Sequence, residues 1–121
     1  VRAIKNETIE IHNDGEQIRA WCYIDDLIDG LLCCLVNQNA VGHTLNIGNP
    51  RTAITVYNLA RLIVRLVGSK SDIVHVKWPY PDVELRIPDI SRARDLLGFA
   101  PKFDLEEGLE PTIKWYREIS G

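Results

Sequence analysis

Seven apolar side chains, Ile24, Leu27, Ile28, Leu31, Leu32, Leu35 and Val36, recur at intervals of three and four residues, a spacing that lays them along one side of an α-helix. Asp25 and Asp26 fall in its first turn, where aligned peptide dipoles favour negative charge. A second helix is predicted from Val56, Leu59, Ala60, Ile63, Leu66 and Val67, with Thr55 as its N-cap and Gly68 as its stop. A short third helix places Ile90, Ala93, Leu96 and Leu97 inside, capped by Asp89 and ended by Gly98 with Pro101 just beyond. The last carries Leu105, Leu109, Thr112, Ile113 and Tyr116 on one face, and Asp104 and Glu107 stand in the capping-box relation. Pro111 lies inside it, which predicts a kink near Glu107.

The extended segments are shorter. Thr8 to His12 alternates with period two, Asn13-Asp14-Gly15 signals a turn, and Gln17 to Tyr23 reads as extended again. His43 to Ile47 is predicted as a strand closed by Gly48-Asn49-Pro50, and Ile73 to Val76 as another. It leads into WPYPDVELRIPDIS, where prolines at 79, 81 and 88 force extended backbone. The opening VRAIKNE reads as the last turns of a helix. The predicted class is therefore α/β: a small, mostly helical region with short strands, none of them adjacent as a hairpin. Strands this sparse need a sheet to join, and that sheet is expected outside these residues.

The chain's 121 residues, 45% hydrophobic and 26% charged, suit one soluble domain over residues 1–121. Fourteen basic against 17 acidic residues give a net charge of -3, which offers no field to hold nucleic acid or an anionic membrane. Leu31 to Val36, the longest apolar run, falls far short of the roughly 20 residues that cross a bilayer. Cys22, Cys33 and Cys34 form neither a disulfide framework nor a metal spacing, so free thiols in a reducing, cytoplasmic setting are expected. A first residue Val1 and the absence of methionine lead to the expectation of a piece cut from something longer.

Candidate chemistry narrows the picture mainly by what is missing. No GxGxxG, GxxGxxG or GxxxxGK occurs, so no glycine loop cradles a dinucleotide or triphosphate. Tyr23, Tyr57, Tyr80 and Tyr116 are followed four residues on by Leu27, Arg61, Glu84 and Ser120, which leaves no Tyr-x-x-x-Lys dyad. His12, His43 and His75 are isolated, with no ligand-spaced partner for a metal. Asp25, Asp26 and Asp29 at a helix start are read as capping and dipole residues. No catalytic, cofactor-binding or metal residue is thus expected within the chain. Arg19, in extended backbone after a turn, and Arg86, in the proline-stiffened segment, present planar forks matched to phosphate oxygens. Pairing with Asp14, Asp25, Asp82 or Glu84 is the alternative.

Four runs, IEIHNDGEQIRAWCYIDDLIDGL, LNIGNPRTAITVYNLARLI, DVELRIPDISRARDLLGFAPKFDLEEGL and TIKWYR, together resemble the carboxyl-terminal part of the NAD-dependent epimerase/dehydratase family, the extended short-chain dehydrogenases acting on nucleotide sugars. They stand in the family's order over almost the whole chain. The resemblance implies a two-part enzyme: an amino-terminal Rossmann sheet holding NAD and a Tyr-x-x-x-Lys dyad, and a smaller region that binds the diphosphate of a UDP- or dTDP-sugar. Only the second is expected here, so this chain alone should bind no NAD and turn nothing over, while the parent oxidises the sugar at its C4 hydroxyl. By the same resemblance Arg19 and Arg86 grip the diphosphate from two sides, and Glu10, Ile11 and His12 lie against the pyrimidine base, with an aromatic residue often standing at the His12 position. Pro111 departs from the family's uninterrupted last helix. The segment YPDVELRIPDI also resembles that of sugar-nucleotide decarboxylases, in which the arginine matching Arg86 meets a uronate carboxylate. A non-enzymatic interaction module is the remaining alternative. The expected partner is a nucleotide-sugar substrate, with neither nucleic acid nor membrane, and an apolar face meant for the outside sheet makes a homodimer an expected association.

Overall fold

The computed structural model describes residues 1–120. Two compact units emerge: one from Val1–Arg19, Ile54–Arg86 and the chain from Leu109 onward, the other from Ala20–Ala53 and Ile87–Gly108.

In the first unit, β1 (Ile9–His12) pairs in parallel with β4 (Ile73–Val76), in a register that sets Ile9 beside Ile73 and His12 beside Val76. Alternation along β1 buries Ile11 and leaves Glu10 and His12 exposed. Gly15 is buried at φ +75, where a Cβ would lie 2.8 Å from Ile11 Cγ2, so conformation and space both demand glycine. Its carbonyl accepts from Tyr57 N at 3.0 Å and that of Gln17 from Val56 N at 3.0 Å, which seats the start of α2 (Val56–Val67). That helix begins and ends as its sequence predicts: Thr55 Oγ1 accepts from Asn58 N, and Gly68 closes it at φ 69. It buries Leu59 and Ala60. A three-stranded sheet has the order β3 (Ala53–Thr55), β2 (Ile18–Ala20), β5 (Leu85–Arg86), with β2 and β5 parallel.

Residues 2–6 form turns, and their hydrogen bonds are those of a helix end. Glu7 N donates to Arg2 O, Asn6 N donates to Ala3 O, and Asn6 takes the left-handed conformation at φ 55.

The second unit is organised by α1 (Ile24–Val36), which falls where the apolar spacing predicts. Its most buried residues are Asp26 and Gly30, while Ile24, Ile28, Leu31, Leu32, Leu35 and Val36 are all exposed. Gly30 permits close approach: a Cβ there would sit 2.4 Å from Ile47 Cγ2 and 3.1 Å from the Phe99 ring. Asp26, read from sequence as a dipole residue, does more than that. Its Oδ1 accepts from Lys102 N at 2.9 Å and its Oδ2 from Phe103 N at 3.1 Å, so a carboxylate only 1% exposed holds the 101–103 segment on the helix. Asp29 meets Lys102 Nζ at 2.7 Å on the surface. Asn49, also 1% exposed, donates to Phe103 O and accepts from Arg51 N. The Thr52 hydroxyl accepts from Trp21 N and donates to Trp21 O.

One expectation fails here. His43 to Ile47 is not a strand. His43 N donates to Ala40 O, Thr44 O accepts from Arg92 Nη1 and Asn46 Nδ2 donates to Asp89 O, and no described strand lies alongside to complete a ladder. The third helix, α3 (Ser91–Leu97), starts where Asp89 Oδ1 accepts from Ser91 N. The bonds from the Ser91 hydroxyl and amide hold the Asp89 carboxyl below its usual range. The fourth, α4 (Leu105–Ser120), carries Pro111 within one assigned helix, and Glu107 Oε2 accepts from Asp104 N as the capping box requires. No described helix is long and apolar enough to cross a membrane.

Asp26→Ala strands two amides and should lower the unfolding free energy by about 2–4 kcal/mol in chemical denaturation; a loss under about 0.5 kcal/mol would mean that the two bonds add nothing net. The Cys22 thiol is pushed up by burial and then by the Asp26 charge. Less thiolate is therefore present at pH 8 than in a free cysteine. Asp26→Asn removes the second cause and should speed alkylation of Cys22, read by mass spectrometry; an unchanged rate would contradict this.

Candidate functional site

Parallel pairing of β2 with β5 sets Arg19 directly beside Arg86. Side chains at paired positions of a ladder share a face, and like charges placed so are unfavourable. Two arginines at paired positions are therefore a candidate anion site. Arg19 is the half-buried member, its side chain 16% exposed. Its Nη1 donates to Ile18 O at 2.9 Å and its Nη2 to Asp82 Oδ1 at 2.9 Å. Of the carboxylates that sequence offered as partners, Asp82 is thus the one that meets it. Arg86 is exposed.

A cleft of about 490 Å³ adjoins this ladder, lined among others by Asp14, Glu16, Gln17, Asp82 and Glu84. Four carboxylates line this one cleft, which is therefore unfavourable to an anion. Asp14 Oδ1 accepts from Glu16 N, fixing the turn that leads into β2.

The three β1 residues proposed to face a base divide by face. Ile11 is 2% exposed and packs beneath Gly15. Glu10 is exposed and forms a 3.5 Å ion pair with Arg2. His12 lies flat on Trp78, with ring centroids 4.1 Å apart and an interplanar angle of 6°, and Tyr80 meets Trp78 edge-on at 5.6 Å. The stack is held from below: Trp78 N donates to Asn13 Oδ1, Asn13 N donates to Val76 O, and His75 Nδ1 lies 2.8 Å from Asn13 O. Trp78 went unnoticed in the sequence. The signal was present, since Val74, Val76 and Trp78 alternate in period two, but only the β1–β4 register brings that face to His12.

These residues do not form an NAD cradle. A dinucleotide's pyrophosphate rests on glycines between a strand and an open helix N-terminus. Gly15, which follows β1, is instead filled by Ile11 and Tyr57, and Tyr57 N is already bonded to Gly15 O. Among the described residues no group of His, Cys, Asp or Glu could hold a metal ion.

A double-mutant cycle on His12→Ala and Trp78→Ala should return a stability coupling of about 0.5–1.5 kcal/mol from the stack; additivity would refute it.

A family model described as the NAD dependent epimerase/dehydratase family matches residues 1–48. UDP-glucuronic acid decarboxylase 1 of Xenopus tropicalis is 40% identical over 118 residues, covering 98% of this chain and 27% of that protein. UDP-glucuronate 4-epimerase of Thermodesulfobacterium geofontis is 31% identical over 115 residues, 94% of this chain and 35% of the relative. Among solved structures, UDP-glucose 4-epimerase of Thermotoga maritima with UDP-glucose superposes with a TM-score of 0.91 at 31% identity, over 99% of this chain and 38% of the other. UDP-glucuronic acid 4-epimerase of Bacillus cereus, in complex with UDP-glucuronic acid and NAD, gives 0.89 at 25% identity over 98% and 38%. The chain spans about a third of the length of the relatives it matches. The order of its motifs, its fold and these likenesses agree: the chain belongs to the NAD-dependent epimerase/dehydratase family.

Proposed function

We propose that this chain anchors the diphosphate of a UDP- or dTDP-sugar within an NAD-dependent nucleotide-sugar enzyme. The observation that carries the reading is the register of Arg19 against Arg86, which puts two planar, permanently charged forks one strand apart. A diphosphate offers both of them oxygens and relieves their repulsion. Anchoring a part of the substrate that does not react lets binding energy orient the part that does. His12 on Trp78 gives a flat aromatic surface in the same unit for a pyrimidine ring. The structures named above that hold UDP-glucose and UDP-glucuronic acid support a nucleotide-sugar ligand. The redox residues and the NAD site belong, on this reading, to parts of the enzyme beyond these 121 residues.

Within that frame, decarboxylation of a nucleotide uronate is the second reading. It is favoured by the 40% identity to a UDP-glucuronic acid decarboxylase and by the exposure of Arg86, which can meet a sugar carboxylate.

The full-length protein should bind UDP in a calorimetric titration. Arg19→Ala and Arg86→Ala should each weaken it about 10- to 100-fold, the range of a lost charged hydrogen bond. Absence of UDP and dTDP binding by the wild type would sink the proposal. Release of carbon dioxide from UDP-glucuronate would select the decarboxylase, and its absence alongside conversion of UDP-sugars would remove it.

A further inference from the structure

We infer that Asp82 is a built-in competitor for the substrate: its carboxylate occupies Arg19 as a stand-in anion, and a diphosphate binds by displacing it and loosening residues 79–83. The inference rests on reading Arg19 and Arg86 as the diphosphate-binding pair.

Three observations converge on it. First, Arg19 is already committed, with Nη1 on its own strand's Ile18 O and Nη2 on Asp82 Oδ1 at 2.9 Å. Any anion that takes the Nη2 edge must remove the carboxylate. Second, Asp82 meets only one of the two arginines: its Oδ1 accepts from Arg19 Nη2 and, at 2.7 Å, from Val83 N, while no ion pair joins it to Arg86 among the described residues. It neutralises one member of the register-paired cations, whereas a diphosphate can bridge two. Third, Asp82 lies in a short span with firm anchors on either side. Upstream, Trp78 is stacked on His12 and bonded to Asn13. Downstream, Ile18 N donates to Glu84 O and Leu85 pairs with Ile18. Between them the Asp82 carboxylate ties the span to β2, so its release frees a few residues while both anchors stay in place. A bound diphosphate would also repel the displaced carboxylate, which lies beside Glu84 on the acidic cleft.

An affinity that requires an internal partner to leave first is reduced by the fraction of time the partner is in place. Asp82→Asn keeps the side chain's shape and its oxygen near Val83 N while removing the charge. It should tighten UDP binding by the full-length protein about twofold to fivefold, the usual strength of a partly exposed ion pair. Asp82→Glu, which restores the carboxylate, should return the affinity toward the wild-type value. Hydrogen exchange on the wild-type protein supplies a reading independent of any variant: saturating UDP should speed exchange of the Tyr80, Asp82 and Val83 amides while slowing it in β1 and β2. Unchanged or weaker UDP binding by a folded Asp82→Asn protein overturns the inference, as does slower exchange across 80–83, and both leave the arginine site intact. If the wild type binds neither UDP nor dTDP, the diphosphate reading itself falls and takes this one with it; if it binds dTDP alone, the same measurements are made with dTDP.

Discussion

Two arginines set at paired positions by a ladder of only two residue pairs are the constraint around which the candidate site is arranged. The ladder fixes Arg19 next to Arg86 through Ile18 and Leu85, and it forms because Ile18 N reaches Glu84 O. Like charges at paired positions are unfavourable, and Asp82 pairs with one of them, Arg19. The rest of the first unit serves to hold that ladder. The Asn13–Gly15 turn sets the course of β2, and Gly15 in turn is held between Ile11 and the start of α2.

The second unit works on another principle. Its interior is knit by buried polar groups as much as by apolar ones: Asp26, Asn49 and Thr52 each satisfy backbone groups of remote segments. Buried side chains of this kind are costly unless every partner is present, and the bookkeeping here closes, with no buried side-chain nitrogen or oxygen left unpartnered among the described residues. The apolar stripe of α1 is meanwhile exposed, and His43 to Ile47 has no strand beside it.

Aromatic and charged parts of the site differ in how they could be found. The arginines were visible because guanidinium in extended backbone is a recognisable chemical choice, strengthened by a family pattern. Trp78 was not, because a tryptophan after a strand is more often core than site, and its face depends on a register that no local pattern states. Asp82 was one of four carboxylates offered as partners for the arginines, and spacing could not choose among them. Only the ladder brings the proline segment back to β2 and selects it.

What the sequence determined by itself was local. Helix spacing, the Thr55 cap, the Gly68 and Gly98 stops and the Asp104–Glu107 capping box depend on residues within a turn or two of each other, so short-range sterics and hydrogen bonding settle them. The tertiary structure decided everything that depends on distant partners: that His43 to Ile47 lacks a neighbour, that Asp26 reaches across to Lys102 and Phe103, that His12 lies on Trp78, and that Arg19 stands beside Arg86. A strand or a charged site is completed by a second segment, and the position of that segment is a property of the folded chain as a whole.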